Sequence, residues 1–301
     1  MNQPRSKEIV AIGECMVELS SAGEGLYRRG FAGDTFNTAW YLARSLPADW
    51  HASYLTALGT DAISDEMLAF FAAAGIGTGA VRRLERAMPG LYMIHLDNGE
   101  RSFSYWRDSS AAKQLAADEA HLAKVFAEGD AFYVSGITLA ILPEDDRARL
   151  LTHLAAARRA GRMVAFDPNL RPRLWPDTDA MCRAVEAAAE VATICLPSFA
   201  DEAAAFGDAS PDETARRYKR LGVPEIVVKD ADGPALLSLP EEDLRVAAEP
   251  GIAVVDSTGA GDSFNAAYLS ARLAGDEPAA AAAKGHALAA KVVCHYGALV
   301  G

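Results

Sequence analysis

Residues 256–275 read DSTGAGDSFNAAYLSARLAG. The second part carries apolar residues at helical spacing, and the first part is a glycine-rich turn at the N-terminus of that helix. Backbone N–H groups at such a terminus lack intrahelical acceptors, and the helix dipole adds partial positive charge there. Gly259 and Gly261 let the backbone come close to an anion. Asp262 falls in the first turn, where a carboxylate can accept the proton of a hydroxyl that attacks phosphorus. The same position also suits a plain helix cap, and the residues alone leave both roles open. The turn is not a Walker loop, because no Gly-Lys-Ser/Thr follows, and it is not GxGxxG.

Working outward, short apolar runs alternate with helical stretches. EIVAI (8–12), ASYLTALGTD (52–61), DAFYVSGI (130–137), RMVAFDPN (162–169), VATICLPS (191–198) and EIVVK (225–229) read as strands. FNTAWYLARSL (36–46), SDEMLAFFAAAGI (64–76) with Ser64 as N-cap, EDDRARLLTHLAAARRAG (144–161), TDAMCRAVEAAAE (178–190) and DETARRYKRLG (212–222) read as helices. Such alternation implies an α/β fold with a parallel sheet covered on both faces. Met88 to Arg107 breaks the pattern: it alternates with period two around Asn98-Gly99, a type I′ hairpin signal. Met16 to Phe31 also reads as extended. These pieces are expected to form a small antiparallel sheet, a lid built from about residues 14–31 and 88–108 on a single domain spanning 1–301. An insert between strand–helix units is where closing elements sit.

The chain has 301 residues, half of them hydrophobic and 23% charged, which excludes wholesale disorder. At this length a single α/β domain needs no disulfide or metal staple. Its 41 acidic against 29 basic side chains give a net charge of −12, which argues against nucleic acid or an anionic membrane as partner. The four cysteines form no CxxC pair, so neither a zinc site nor a disulfide framework is indicated. The polar N-terminus and the short apolar run after it lead to the expectation of a cytoplasmic protein.

DSTGAGD with SFNAAYL closely resembles the C-terminal signature of the ribokinase-like, PfkB-type sugar kinases. AGDTFNTAWYLARSL (32–46) with LTALGTD (55–61) is similar to that family's sugar-binding signature, and DPNLRPRLW (167–175) is a third match. The likeness covers essentially the whole chain. It implies a ribokinase-like fold: a mostly parallel central sheet flanked by helices, with a small β lid. It implies ATP and Mg²⁺ as cofactors, a monovalent cation near Asp256 being left open, and a homo-oligomer. Asp262 then falls on the catalytic base, and Gly259, Ala260 and Gly261 fall on the anion hole. Gly33, Asp34 and Asn37 fall on the sugar-binding loop and helix start, where Asp34 would otherwise serve as a cap. Asn169, Ser198, Lys229, Gly233 and His286, with Gly259 and Gly261, are assigned to the nucleotide.

Two departures stand out. Where the family carries Asn-x-x-Glu, this chain has Ser198-Phe199-Ala200-Asp201, so Asp201 could hold Mg²⁺ through a water, but Ser198 cannot replace the Asn amide. The loop Lys229-Asp230-Ala231-Asp232-Gly233-Pro234 also differs from the family's glycine pattern, and a surface turn is the other reading.

Within the family, IGECMVEL (12–19), GLYMI (90–94) and RSFSYWRDSSAA (101–112) resemble the branch that phosphorylates 2-keto-3-deoxygluconate. A sugar acid calls for an arginine. Period-two alternation puts Tyr105 and Arg107 on one face, and if that face looks into the cleft, Arg107 can pair with a carboxylate. Tyr92 and Tyr105 can offer hydroxyls, and Arg171 can reach a substrate oxygen or the γ-phosphate. The plainer readings are a solvated lid charge for Arg107 and, for Arg171, an ion pair with Asp167 or another acid. Trp106 and Trp175 read as packing residues. The alternatives are a kinase of a neutral sugar such as fructose or ribose, a non-catalytic sensor on the same fold, and a dehydrogenase, which the missing GxGxxG after the first strand disfavours.

Overall fold

The computed structural model describes residues 6–97 and 100–301. The Asn98-Gly99 turn expected at the hairpin tip lies outside the described residues. Among the described residues the strands are β1 (Lys7–Ile12), β2 (Met16–Gly23), β3 (Leu26–Ala32), β4 (Trp50–Gly59), β5 (Val81–Leu84), β6 (Leu91–Asp97), β7 (Glu100–Trp106), β8 (Ala131–Ser135), β9 (Met163–Asp167), β10 (Ile194–Cys195), β11 (Glu225–Val228), β12 (Ala235–Ser238) and β13 (Asp243–Val246). The helices are α1 (Asp34–Ser45), α2 (Ala62–Ala73), α3 (Glu119–Glu128), α4 (Gly136–Ile141), α5 (Glu144–Arg159), α6 (Thr178–Ala189), α7 (Phe199–Phe206), α8 (Pro211–Arg220), α9 (Ala260–Leu273) and α10 (Pro278–Val293).

The large sheet has the order β13-β12-β11-β10-β9-β8-β1-β4-β5. From β11 to β5 every pairing is parallel, while β12 and β13 add an antiparallel edge. The sheet is therefore mixed rather than purely parallel, a common arrangement in doubly wound folds. Its strands are apolar along their length because both faces are covered. Val10 and Ile12 of β1 join Phe132 and Val134 of β8 in one core layer. Ile9 and Ala11 join Ala131 and Tyr133 in the other.

The second sheet, in the order β3-β2-β6-β7, matches the two segments that broke the alternation. It is not wholly antiparallel as expected: β2 and β6 run parallel, with Val17 opposite Leu91. The reason is topological. β2 follows β1 and β6 follows β5, two parallel strands, so both leave the large sheet over the same edge. Met16, Ala32, Tyr92 and Ile94 form its small core.

Two local readings change. Helix α2 is capped by Asp61, not Ser64. The Asp61 carboxylate accepts from the Ile63 and Ser64 amides at 3.1 Å and from the Ser64 hydroxyl at 2.6 Å, so the helix begins earlier. Helix α9 is buried at every position from Ser263 to Ala271 rather than on one face. Ala266, Ala267, Ser270 and Ala271 are small enough to seat a helix among close neighbours, and the Ser270 hydroxyl bonds to the Ser45 carbonyl of α1 at 2.5 Å.

Candidate active site

The parallel strands end on one edge, and the chain leaves them at Glu14, Ser135, Asp167 and Lys229. Open α/β sheets bind ligands outside this edge. The N-termini of α1 and α9 meet there.

The turn into α9 is set by Asp256, which is buried. One carboxylate oxygen accepts from the Thr258 amide at 3.1 Å and the Thr258 hydroxyl at 2.7 Å; the other accepts from the Gly297 amide at 2.7 Å. Both oxygens that a monovalent cation could use thus already hold protein donors. Gly259 has φ 78°, and a Cβ there would lie 2.8 Å from the Ala298 carbonyl oxygen. Only glycine fits. The Ala260 amide is turned back onto the Ser257 carbonyl at 3.2 Å, so its expected place in the anion hole is occupied. The amides of Gly261 and Asp262 remain as first-turn donors without intrahelical acceptors. Lys229 Nζ lies 3.7 Å from where a Gly261 Cβ would stand, so the turn has a cation at its side. That ammonium is held by Asp167 Oδ2 at 3.2 Å and Asn265 Oδ1 at 3.0 Å.

Asp262 is half-buried and accepts a 2.7 Å hydrogen bond from Asn37 Nδ2. Burial pushes its carboxyl up to about 8; nearby Asp34 adds to this, while Asn37 and Lys229 oppose it. The other end of the Asn37 amide accepts from the Gly33 amide at 3.4 Å. One side chain therefore joins the expected sugar loop to the expected base. Gly33 precedes α1 with extended backbone, and a Cβ there would fall 2.1 Å from the Glu14 carbonyl oxygen. Asp34 makes no side-chain cap for α1. Its Oδ2 accepts instead from Asn169 Nδ2 at 2.8 Å, and burial raises its carboxyl above the usual range.

Several assignments to the nucleotide change character. Asn169, at φ 36°, donates to Asp34, on the side of the expected sugar loop. His286 is buried, its Nε2 donating to the Val246 carbonyl at 3.1 Å and its ring edge-on to Phe264, so it serves packing between α10, α9 and β13. Gly233 closes a tight turn by donating to the Asp230 carbonyl at 2.6 Å, and the loop reads as that turn. Ser198 makes no side-chain cap for α7; its backbone bridges to Lys229.

Arg171 lies 3.6 Å from Asp201, not Asp167; Asp167 is already taken by Lys229 and by Asn265 Nδ2 at 2.6 Å. Burial raises the Asp201 carboxyl, against the pull of Arg171. Among the described residues no group of three or more His, Cys, Asp or Glu is arranged to hold a metal. A divalent ion here would rest on phosphate oxygens and one carboxylate, the hard donor set Mg²⁺ accepts, and the half-exposed Asp201 fits it.

On the small sheet, Tyr92 and Tyr105 are cross-strand partners with ring centroids 6.0 Å apart, and the Arg107 guanidinium lies 6.0 Å from the Tyr105 ring. The three residues share a face, as alternation predicts. Neither polar group is loose, however. The Tyr92 hydroxyl donates to Glu18, and Arg107 is paired with Glu14 rather than solvated. Trp175 packs, with Arg147 stacked over it at 4.7 Å, but Trp106 is 57% exposed and does not. Sequence reasoning missed Glu14, Asp167 and Asn265 as site residues. The signal for the first two was present, an acid at the C-terminal end of a parallel strand.

A model of the pfkB family of carbohydrate kinases matches residues 6–300. The chain belongs to the pfkB family. This carbohydrate kinase is 42% identical over 307 residues to the 2-dehydro-3-deoxygluconokinase of Dickeya dadantii strain 3937, covering 98% of this chain and 97% of that one. It is 40% identical over 302 residues to the enzyme of the same name from Escherichia coli K12, with 98% and 97% covered. A solved PfkB protein from Polaromonas sp. JS666 superposes with a TM-score of 0.83 at 29% identity, with 96% of each chain covered. The ribokinase-like fold and the kinase activity expected from DSTGAGD and AGDTFN are thereby established. Among the described residues no helix is long and apolar enough to cross a membrane.

Proposed function

We propose that this pfkB kinase transfers the γ-phosphoryl group of ATP to the 6-hydroxyl of 2-keto-3-deoxygluconate, giving 2-keto-3-deoxy-6-phosphogluconate and ADP. The observation that carries the reading is the 2.7 Å bond from Asn37 to Asp262. It ties the sugar loop to a carboxylate at the mouth of an anion-binding turn. The names of the Dickeya and Escherichia relatives support the substrate, and Arg107 offers a partner for a carboxylate.

Gly33, Asp34 and Asn37 hold the sugar, with the small sheet as a lid that excludes water. Asp262 takes the proton of the C6 hydroxyl. The oxygen attacks the γ-phosphorus, the bond to the bridging oxygen of ADP breaks, and ADP leaves with that electron pair. Charge on the transferring group faces the Gly261 and Asp262 amides and the Lys229 ammonium. Magnesium, when bound, supplies charge neutralisation at the phosphates, and Asp201 is the carboxylate that would hold it through water.

Nuclear magnetic resonance of the reaction product tests this. The keto acid incubated with Mg-ATP should yield an ester whose phosphorus couples to C6. Coupling to another carbon, or no ester, overturns the reading.

A further inference from the structure

Glu14 follows β1 with its side chain 1% exposed, and Arg107 follows β7 at 12%. Arg107 Nη2 donates to Glu14 Oε2, joining the large sheet to the small one. Gly90 makes the approach feasible: a Cβ there would lie 2.8 Å from Glu14 Oε1 and 3.1 Å from Arg107 Cβ. The backbone of Glu14 also seats the sugar loop, since its carbonyl fills the space a Gly33 side chain would need.

Stability alone is a poor explanation for this pair. Burying two charges costs desolvation that a hydrophobic pair of the same volume would avoid. The pair also leaves Glu14 Oε1 and Arg107 Nε without hydrogen-bond partners. A long, flexible arginine gains from such a clamp in another way. Bidentate recognition of a carboxylate requires the guanidinium plane to be fixed beforehand.

We propose that Glu14 is the positioning residue of Arg107: it fixes the guanidinium plane and so sets the preference for a sugar bearing a carboxylate. This rests on the reading of Arg107 as the partner of that carboxylate. With its side chain 1% exposed, Glu14 acts through Arg107 and not on the substrate. Its charge alone would repel a sugar acid, so electrostatics and positioning give opposite signs. Removing the charge should tighten binding if repulsion rules and weaken it if positioning rules.

Calorimetric titration of the wild type, Glu14→Gln, Glu14→Asp, Arg107→Ala and the Glu14→Gln/Arg107→Ala pair separates these. The ligands are 2-keto-3-deoxygluconate and 3-deoxyfructose, which carries a hydroxymethyl group in place of the carboxylate. Glu14→Gln should weaken keto acid binding by about 10- to 100-fold, the scale for losing a group that orients a ligating side chain. It should weaken 3-deoxyfructose binding far less, and in turnover the loss should fall on KM for the keto acid rather than on kcat. In the Arg107→Ala background it should add nothing, because Glu14 acts through Arg107. Glu14→Asp keeps the charge with a shorter reach. It should fall between wild type and Glu14→Gln, and it carries the test if Glu14→Gln does not fold. Tighter keto acid binding, equal weakening of both ligands, or additive losses in the double variant overturns the proposal. If Arg107→Ala itself fails to discriminate the two ligands, the reading of Arg107 falls and the role of Glu14 falls with it. If Arg107→Ala discriminates and Glu14→Gln does not, only the role of Glu14 falls.

Discussion

The side-chain amide of Asn37 donates to the carboxylate of Asp262 at 2.7 Å, across the joint between α1 and α9. Two segments 225 residues apart in sequence are thereby held together, and in the proposed reaction a hydroxyl bound at Gly33 and Asp34 would face the Asp262 carboxylate. Asn37 can do this because an amide both donates and accepts.

Replacing Asp262 by Asn keeps the shape and removes the proposed base. kcat should fall by about 10²- to 10⁴-fold, the usual share of general-base catalysis. Sugar affinity, measured by calorimetry, should stay within reach of detection. Wild-type kcat in Asp262→Asn would exclude this carboxylate as the base.

The pH profile should carry the same signature. With the Asp262 carboxyl pushed up to about 8 by burial and by Asp34, its ionisation should fall within the range of an activity profile. kcat/KM should therefore rise through a limb near pH 8. Asn37→Ala removes a bond that favours the ionised form, so its limb should move higher. A flat profile from pH 6 to 9 would contradict the assignment.

Stability should respond with a definite sign. A carboxyl whose folded value is raised from 3.8 to about 8 favours the folded state while protonated, and that contribution is lost as pH rises between those values. Asp262→Asn lacks this loss. Its melting temperature relative to wild type should climb between pH 5 and 8. A constant offset in thermal melts would show that Asp262 does not titrate there.

At Gly259 a side chain meets both a positive φ and the Ala298 carbonyl. Gly259→Ala should cost about 1–3 kcal/mol in urea unfolding and lower kcat with it, because the turn that aims the Gly261 amide shifts. Unchanged stability and kcat would mean the turn adapts.

Glu202 of α7 is fully buried against Arg217 at 2.6 Å and Tyr218 at 3.0 Å. Burial raises its carboxyl to about 7 in spite of Arg217. Arg217→Ala strands that acid and should cost about 3–5 kcal/mol in urea unfolding. A loss below 1 kcal/mol would show the pair to be dispensable.

The large sheet was legible because buried parallel strands are apolar runs, and the turn at Gly259 to Asp262 because two glycines at a helix start mark a close backbone turn, whereas the residues alone left Asp262 between cap and base. Contacts between distant segments were not. Nothing local pairs Glu14 with Arg107, turns the Ala260 amide onto Ser257, or places His286 under Val246. The parallel pairing of β2 with β6 follows from chain exits, which period-two alternation does not encode. Asp61 outcompeted Ser64 as a cap because its carboxylate reaches two amides at once.

The most direct measurement is kcat/KM of the wild-type kinase for 2-keto-3-deoxygluconate, fructose and ribose, followed by coupled ADP release. The keto acid should exceed both neutral sugars by about a hundredfold or more, since a sugar lacking the carboxylate leaves the groups built to bind it unmatched. Fructose or ribose turned over as well as the keto acid would contradict a sugar-acid kinase.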